Sequence, residues 1–141
     1  MREEIGDLWE AQKRGYIAIP TNGVVDSQGR AVMGKGLALD AKARYPWIPE
    51  RLGLIIARTG NHVYYFPDAK LFTFPTKGDW KDPSNLGLIR QSAVELKALA
   101  WNLTVFLPRV GCGEGRLNWM EVRKTLEPIL SSDNYVVISK E

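Results

Sequence analysis

Val32-Met33-Gly34-Lys35-Gly36-Leu37-Ala38-Leu39 is a glycine turn that opens directly into an apolar-periodic run ending near Tyr45-Pro46. Leu37, Ala38, Ala41 and Tyr45 recur at helical spacing, with Lys42 and Arg44 on the other face. A glycine loop feeding a helix N-terminus offers unpaired backbone N–H groups and the positive end of the helix dipole, a combination that suits phosphate. The ligand implied is a phosphate-bearing one.

Two familiar motifs fail here. Gly29 to Lys35 spells the GxxxxGK of a P-loop, but Gly36 stands where Ser or Thr would hold magnesium. A P-loop also follows its strand at once, whereas a polar stretch separates Gly29 from the strand-like Tyr16-Ile17-Ala18-Ile19-Pro20. GxGxxG fails because Leu39 replaces the third glycine.

The chain has 141 residues, enough for one domain with a core of its own. It is 45% apolar and 25% charged, which argues against disorder. One cysteine excludes an internal disulfide framework, and one histidine, His62, leaves no Cys/His metal cluster. No metal or cofactor is expected. The N-terminus lacks a signal-peptide layout and no apolar run approaches ~18 residues, so the expectation is a soluble, cytoplasmic, monomeric protein without membrane contact. The net charge of +3 is compatible with an anionic ligand or nucleic acid and too mild to argue for either alone.

Around the glycine turn, strand and helix patterns alternate. A short strand precedes Gly6-Asp7-Leu8, and Tyr16–Pro20 is a buried strand with Thr21-Asn22-Gly23 at its carboxyl end, where ligands sit in α/β sheets. Pro46 and Pro49 break the first long helix, and Ile48–Ile55 reads as a further helical turn or a strand entry. His62–Phe66 and Leu71–Phe74 read as a hairpin around Pro67–Lys70. Asp82, with Pro83 at the first position, is expected to cap a helix whose buried face is Leu86, Ile89, Ala93, Leu96 and Ala100. Leu103–Leu107 is a strand, Asn118–Leu130 a helix, and Tyr135–Ile138 a last strand. The rhythm predicts a three-layer α/β/α sandwich with a central mixed sheet, as a single domain over residues 1–141.

A second glycine loop, Gly111-Cys112-Gly113-Glu114-Gly115, also lies between a buried strand and a helix. Glycine lets backbone pass close to a ligand, and two such loops at one sheet edge can clasp a diphosphate with N–H donors and no metal.

Gly6-Asp7-Leu8, Thr21-Asn22-Gly23, Met33 to Ala38, and Leu107 to Gly113 followed by Leu117-Asn118-Trp119, in this order, resemble the macrodomain family nearly end to end. Macrodomains bind ADP-ribose. The stretch Phe74-Pro75-Thr76-Lys77-Gly78-Asp79-Trp80, then Ser84 and Ile89, is similar to the branch that holds the terminal ADP-ribose glycohydrolase and the DarG-type antitoxin macrodomains. Those antitoxins reverse ADP-ribosylation of thymidine in DNA. The resemblance implies that Asp7 accepts from the adenine amino group, with Leu8 beside it, and that Asn22 contacts the distal ribose. It implies that Gly34, Lys35, Gly36 and Leu37 line the diphosphate and distal ribose from one side. Pro108, Val110, Gly111, Cys112, Gly113, Glu114 and Gly115 would do so from the other. It also makes Lys77 catalytic.

A lysine amine can add to the C1 aldehyde of a ring-opened ribose or act there as a charged or acid/base group. The eukaryotic glycohydrolase of this branch has an aspartate at the position of Gly115, whereas this chain offers Glu114 one residue earlier as a general acid or water-positioning group, and Asn118 before Trp119. The implied activity is hydrolysis of the ADP-ribosyl bond to an acceptor, a thymidine in DNA or else a protein side chain. A non-catalytic ADP-ribose module and an ADP-ribose 1″-phosphate phosphatase stay open as alternatives, as does whether the chain stands alone or belongs to a longer antitoxin. Cys112 is expected to be a small buried residue, His62 structural, and Trp80, beside Lys77, the tryptophan best placed to meet a nucleobase.

Overall fold

Residue alternation in the strands builds two apolar faces on one sheet. In the computed structural model, which describes residues 1–140, six strands run in the order β1-β6-β5-β2-β4-β3. They are β1 (Arg2–Ile5), β2 (Tyr16–Thr21), β3 (Tyr65–Phe66), β4 (Leu71–Pro75), β5 (Val105–Leu107) and β6 (Tyr135–Ser139). All neighbours are parallel except β3 against β4, so the sheet is mixed.

Ile17, Ile19, Leu71, Phe106, Val136 and Ile138 share one face with the buried residues of α1 (Leu8–Ala11), α2 (Gly36–Arg44) and α3 (Ile48–Thr59). Ala18, Phe72, Phe74, Val105, Leu107 and Val137 share the other with α4 (Leu86–Ala100) and α5 (Trp119–Leu126). Period-2 alternation feeding two helical layers is the three-layer sandwich that the sequence rhythm predicts. No described helix is long and apolar enough to cross a membrane.

Four local readings change. Ile48–Thr59 is a helix of 12 residues with Pro49 in its first turn, where a missing N–H is harmless. The hairpin forms, but β3 has only two residues. At Thr73 the hydroxyl donates to the His62 carbonyl at 3.1 Å and accepts the Tyr64 N–H at 2.8 Å, so a side chain takes one ladder bond while the Thr73 N–H still donates to the Tyr64 carbonyl at 2.9 Å. Helix α4 is capped by Asn85, whose Oδ1 accepts the Leu88 N–H at 3.0 Å, and not by Asp82. Asp and Asn cap equally well, and tertiary bonds decide. The Ser84 and Asn85 N–H groups donate to the Gly115 and Thr76 carbonyls, which holds residues 82–85 outside the helix. Helix α5 starts on Asn118 as expected but ends at Leu126.

Pro20 lies in β2, a central strand where proline is rare. The pairing of β2 with β5 stops at Ile17, while its pairing with β4 continues to Thr21. Pro20 therefore forfeits no ladder bond to β5, and the sheet parts between β2 and β5 at their carboxyl ends.

Candidate functional site

At that parting opens a cleft of about 870 Å³, within the roughly 300–1,000 Å³ typical of small-molecule sites. Its first wall is the end of β2 and the turn into α2: Pro20, Thr21, Asn22 and Val32 to Ala38. The second is the Thr76–Ser84 segment with Lys77, Trp80, Lys81 and Asp82, and the third runs from Pro108 to Arg116.

The first wall is held from behind. Asn22 donates from Nδ2 to the Val32 carbonyl at 3.0 Å and accepts the Val24 N–H on Oδ1 at 2.9 Å, joining the end of β2 to the glycine turn. Asp26 accepts the Gln28 and Arg30 N–H groups. The Arg30 N–H, more than any other group, holds the Asp26 carboxyl below its usual value. Lys35 is the N-cap of α2 and no side chain caps that helix, so its leading N–H groups are left for a ligand. Gly36 has φ +56, a backbone conformation other residues rarely hold. A Cβ at Gly34, Gly36 or Gly113 would meet nothing within 4 Å, so these glycines give onto open space.

In the facing loop, internal bonds use the Cys112, Arg116 and Leu117 N–H groups. Those of Gly113, Glu114 and Gly115 make no bond among the described residues, which leaves a concave set of donors of the kind that binds anions. Gly115 itself is packed from behind: a Cβ there would overlap the Ser84 hydroxyl and the Gly111 carbonyl. The chain therefore has no room for a side chain at the position where the eukaryotic glycohydrolase of the resembling branch has its aspartate.

Lys77 stands two residues past the end of β4. Its carbonyl accepts from Asn61 Nδ2 at 3.1 Å, and Gly78 next to it accepts the Gly23 N–H at 2.9 Å, so the segment is pinned to the end of β2. The half-buried side chain turns back, and Nζ donates to the Trp80 carbonyl at 3.5 Å. Glu114 lies at the rim, 69% exposed, with Oε2 3.8 Å from Lys35 Nζ.

Among the residues singled out in the sequence, Asn22, Gly34, Lys35, Gly36, Leu37, Lys77, Pro108, Gly111, Gly113, Glu114 and Gly115 line this one cleft. Asp7, Leu8, Val110 and Cys112 do not. Asp7 lies just past edge strand β1, two strands from β5, and its Oδ2 caps α1 by accepting the Glu10 N–H. Leu8 and Val110 are buried in the core. Cys112 turns its thiol towards the Val110 carbonyl, and burial raises that thiol above its usual value.

Sequence reasoning passed over Thr21, Thr76, Ser84, Asp82 and Arg109 as lining residues. Ser84 is 93% buried by its 7% exposure, and its hydroxyl has no partner. Two threonines at the ends of neighbouring strands were the available signal for Thr21 and Thr76. Lys35, Lys77, Lys81, Arg109 and Arg116 face two carboxylates, Asp82 and Glu114. The lining thus carries an excess of three positive charges, equal to the net charge of the whole chain. No cluster of three or more His, Cys, Asp or Glu among the described residues could hold a metal.

No family model matches the chain. A Mycobacterium tuberculosis protein named DNA ADP-ribosyl glycohydrolase is 32% identical over 107 residues, covering 67% of this chain and 30% of that relative. The Thermus aquaticus protein of the same name is 29% identical over 117 residues, 72% of this chain and 31% of the relative. The chain thus matches less than a third of these curated relatives' own length. Among solved structures, the macrodomain of Thermus aquaticus DarG superposes with a TM-score of 0.79 at 25% identity, covering 99% of this chain and 97% of that one. The macrodomain of Mycobacterium tuberculosis DarG gives 0.79 at 26%, with the same coverage. Agreement over essentially the whole of both folds, with the glycine loops at one sheet edge, means that this chain belongs to the macrodomain family and is of the DarG type.

Proposed function

We propose that the cleft binds ADP-ribose and that the protein hydrolyses the bond between its distal ribose and a thymidine base in DNA, an antitoxin-like reversal of ADP-ribosylation. The observation that carries this reading is that Lys77 shares one cleft with both glycine loops. Backbone donors on the first and third walls suit a diphosphate, and the amine on the second wall is then available to the sugar. The name DNA ADP-ribosyl glycohydrolase borne by the curated relatives supports the same reaction.

In chemical terms, the carbon–nitrogen bond from C1 of the distal ribose to the base breaks, water supplies the oxygen that C1 gains, and a proton returns to the base. Lys77 acts at C1, as a nucleophile towards the ring-opened sugar or as a charged group beside it. Glu114, paired with Lys35 at the rim, is the candidate for handling water or the proton. The Asn22 side chain, already bonded to Val32 and Val24, has one amide hydrogen left for a ribose hydroxyl.

The test is release of ADP-ribose from an oligonucleotide carrying ADP-ribosylated thymidine. Lys77→Ala is expected to lower kcat by about a hundredfold or more and to leave ADP-ribose affinity within a few-fold. ADP-ribose binding without turnover on DNA or protein conjugates would make the protein a reader. Phosphate release from ADP-ribose 1″-phosphate that is insensitive to Lys77→Ala would make it a phosphatase.

A further inference from the structure

We propose that Trp80 is the platform on which the acceptor base stacks, with Lys81 and Arg116 taking the phosphates that flank it. This rests on the hydrolase reading above and adds to it a specificity residue and a nucleic-acid track.

Trp80 is 46% exposed and yet forms part of the cleft wall. Its place is fixed by backbone. Its carbonyl accepts from Lys77 Nζ, and Asp79 organises the turn around it, accepting the Lys81 N–H on Oδ1 at 3.0 Å and the Asp82 N–H on its carbonyl at 3.1 Å. The backbone that carries the indole is thus held by this turn, next to the amine that acts at C1. The bond to be cut runs from C1 to the acceptor, so the acceptor leaves the sugar on the side away from the diphosphate, at Lys77 and therefore at Trp80. A nucleobase there meets a π-face, and stacking of this kind tolerates any base while rewarding a flat one.

Charge points the same way. A diphosphate's two negative charges do not exhaust the excess of three positive charges in the lining. The one positive charge in excess of the diphosphate favours a polyanionic acceptor, and Lys81, whose ammonium lies 5.9 Å from the Trp80 ring centroid, and exposed Arg116 on the facing loop are the cations assigned to it. A side chain of a protein acceptor would use neither the flat face nor this surplus.

The experiment compares wild type, Trp80→Ala and Trp80→Phe on a single-stranded oligonucleotide and on a serine-linked peptide, both ADP-ribosylated, alongside calorimetric ADP-ribose binding. Trp80→Ala is expected to lower kcat/KM on the oligonucleotide by about tenfold or more. Trp80→Phe is expected to recover most of it, with ADP-ribose affinity within about twofold for both. Lys81→Gln with Arg116→Gln should flatten the salt dependence of kcat/KM, by roughly 0.7 in log–log slope for each phosphate no longer neutralised. If wild type releases ADP-ribose from the oligonucleotide and Trp80→Ala does so equally well, the platform is wrong and the hydrolase reading stands. Equal losses on peptide and oligonucleotide, or a matching loss of ADP-ribose affinity, also overturn it. No release by wild type overturns the functional reading and the platform together.

Discussion

Lys35 Nζ lies 3.8 Å from Glu114 Oε2, so the N-cap of α2 and the second glycine loop are joined by an ion pair across the mouth of the cleft. Both side chains are about two-thirds exposed, and pairs of that kind contribute little to stability and are screened by salt. Glu114→Gln is therefore expected to leave thermal stability unchanged and to alter ADP-ribose affinity by less than about fivefold, an effect that shrinks at high salt. A loss of kcat as deep as that of Lys77→Ala would instead assign Glu114 to the chemistry.

Gly34 separates folding from binding. A Cβ there meets nothing within 4 Å and the residue faces the cleft. Gly34→Val is expected to melt within about 2 °C of wild type and to lose ADP-ribose binding by about tenfold or more, because the new side chain occupies the space of the ligand. Parallel melting and calorimetry on the one variant decide it.

At Gly115 the opposite holds. A side chain would collide with the Gly111 carbonyl and the Ser84 hydroxyl beneath the loop. Grafting the aspartate of the eukaryotic enzyme by Gly115→Asp should lower stability by roughly 1–3 kcal/mol and weaken binding. Gly113→Asp, which points into open space, should fold normally. A Gly115→Asp protein with wild-type melting and enhanced turnover would show that the loop has a second arrangement.

Much of this was legible in the chain, and the failures have physical causes. Tyr16-Ile17-Ala18-Ile19 declares a buried strand by its continuous apolar run, and the two glycine loops announce themselves because glycine is the residue that lets backbone face a ligand. What was not legible depended on partners remote in sequence. Asp82-Pro83 has the local chemistry of a helix start, and only the bonds of Ser84 and Asn85 to Gly115 and Thr76 move the cap to Asn85. Thr73 looks like an ordinary strand residue, and its capture of the Tyr64 N–H emerges from where its hydroxyl points. Asp7 enters from the sequence as a ligand group through the resemblance alone, and its part as N-cap of α1 depends on where its Oδ2 points.

Gly53, in the middle of α3, lies under the loop that leads to the first glycine turn. A Cβ there would collide with the Gly29 carbonyl and approach the Ala31 nitrogen to 2.8 Å. Helix propensity alone would make Gly53→Ala stabilising by about 1 kcal/mol. The expected result is a loss of roughly 1–3 kcal/mol from overpacking against backbone, with weaker ADP-ribose binding as residues 24–33 are displaced. Urea unfolding of the two proteins settles the sign.

Glu95 ties the His62–Val63 segment to α4. It accepts His62 Nδ1 at 2.8 Å and the Val63 N–H at 2.9 Å. Burial alone would raise its carboxyl, but the Val63 N–H, the Gln91 amide and His62 outweigh that and hold it below the usual 4.5. A lowered carboxyl contributes stability that is present above its unfolded value and lost as pH falls through its folded value. Glu95→Gln should therefore melt below wild type at pH 7, and the gap should close as the pH drops below about 4.5. A gap that persists at pH 3 would mean that packing, not charge, sets the difference.

The balance of charge around the cleft also governs encounter. Because the lining's excess of three positive charges equals the net charge of the chain, the rest of the molecule is neutral in sum. A polyanion approaching from a distance is drawn to one face and turned by it, so association selects orientation before the two surfaces touch. On the proposed reading, the encounter rate with modified DNA should fall with added salt far more steeply than the affinity for ADP-ribose.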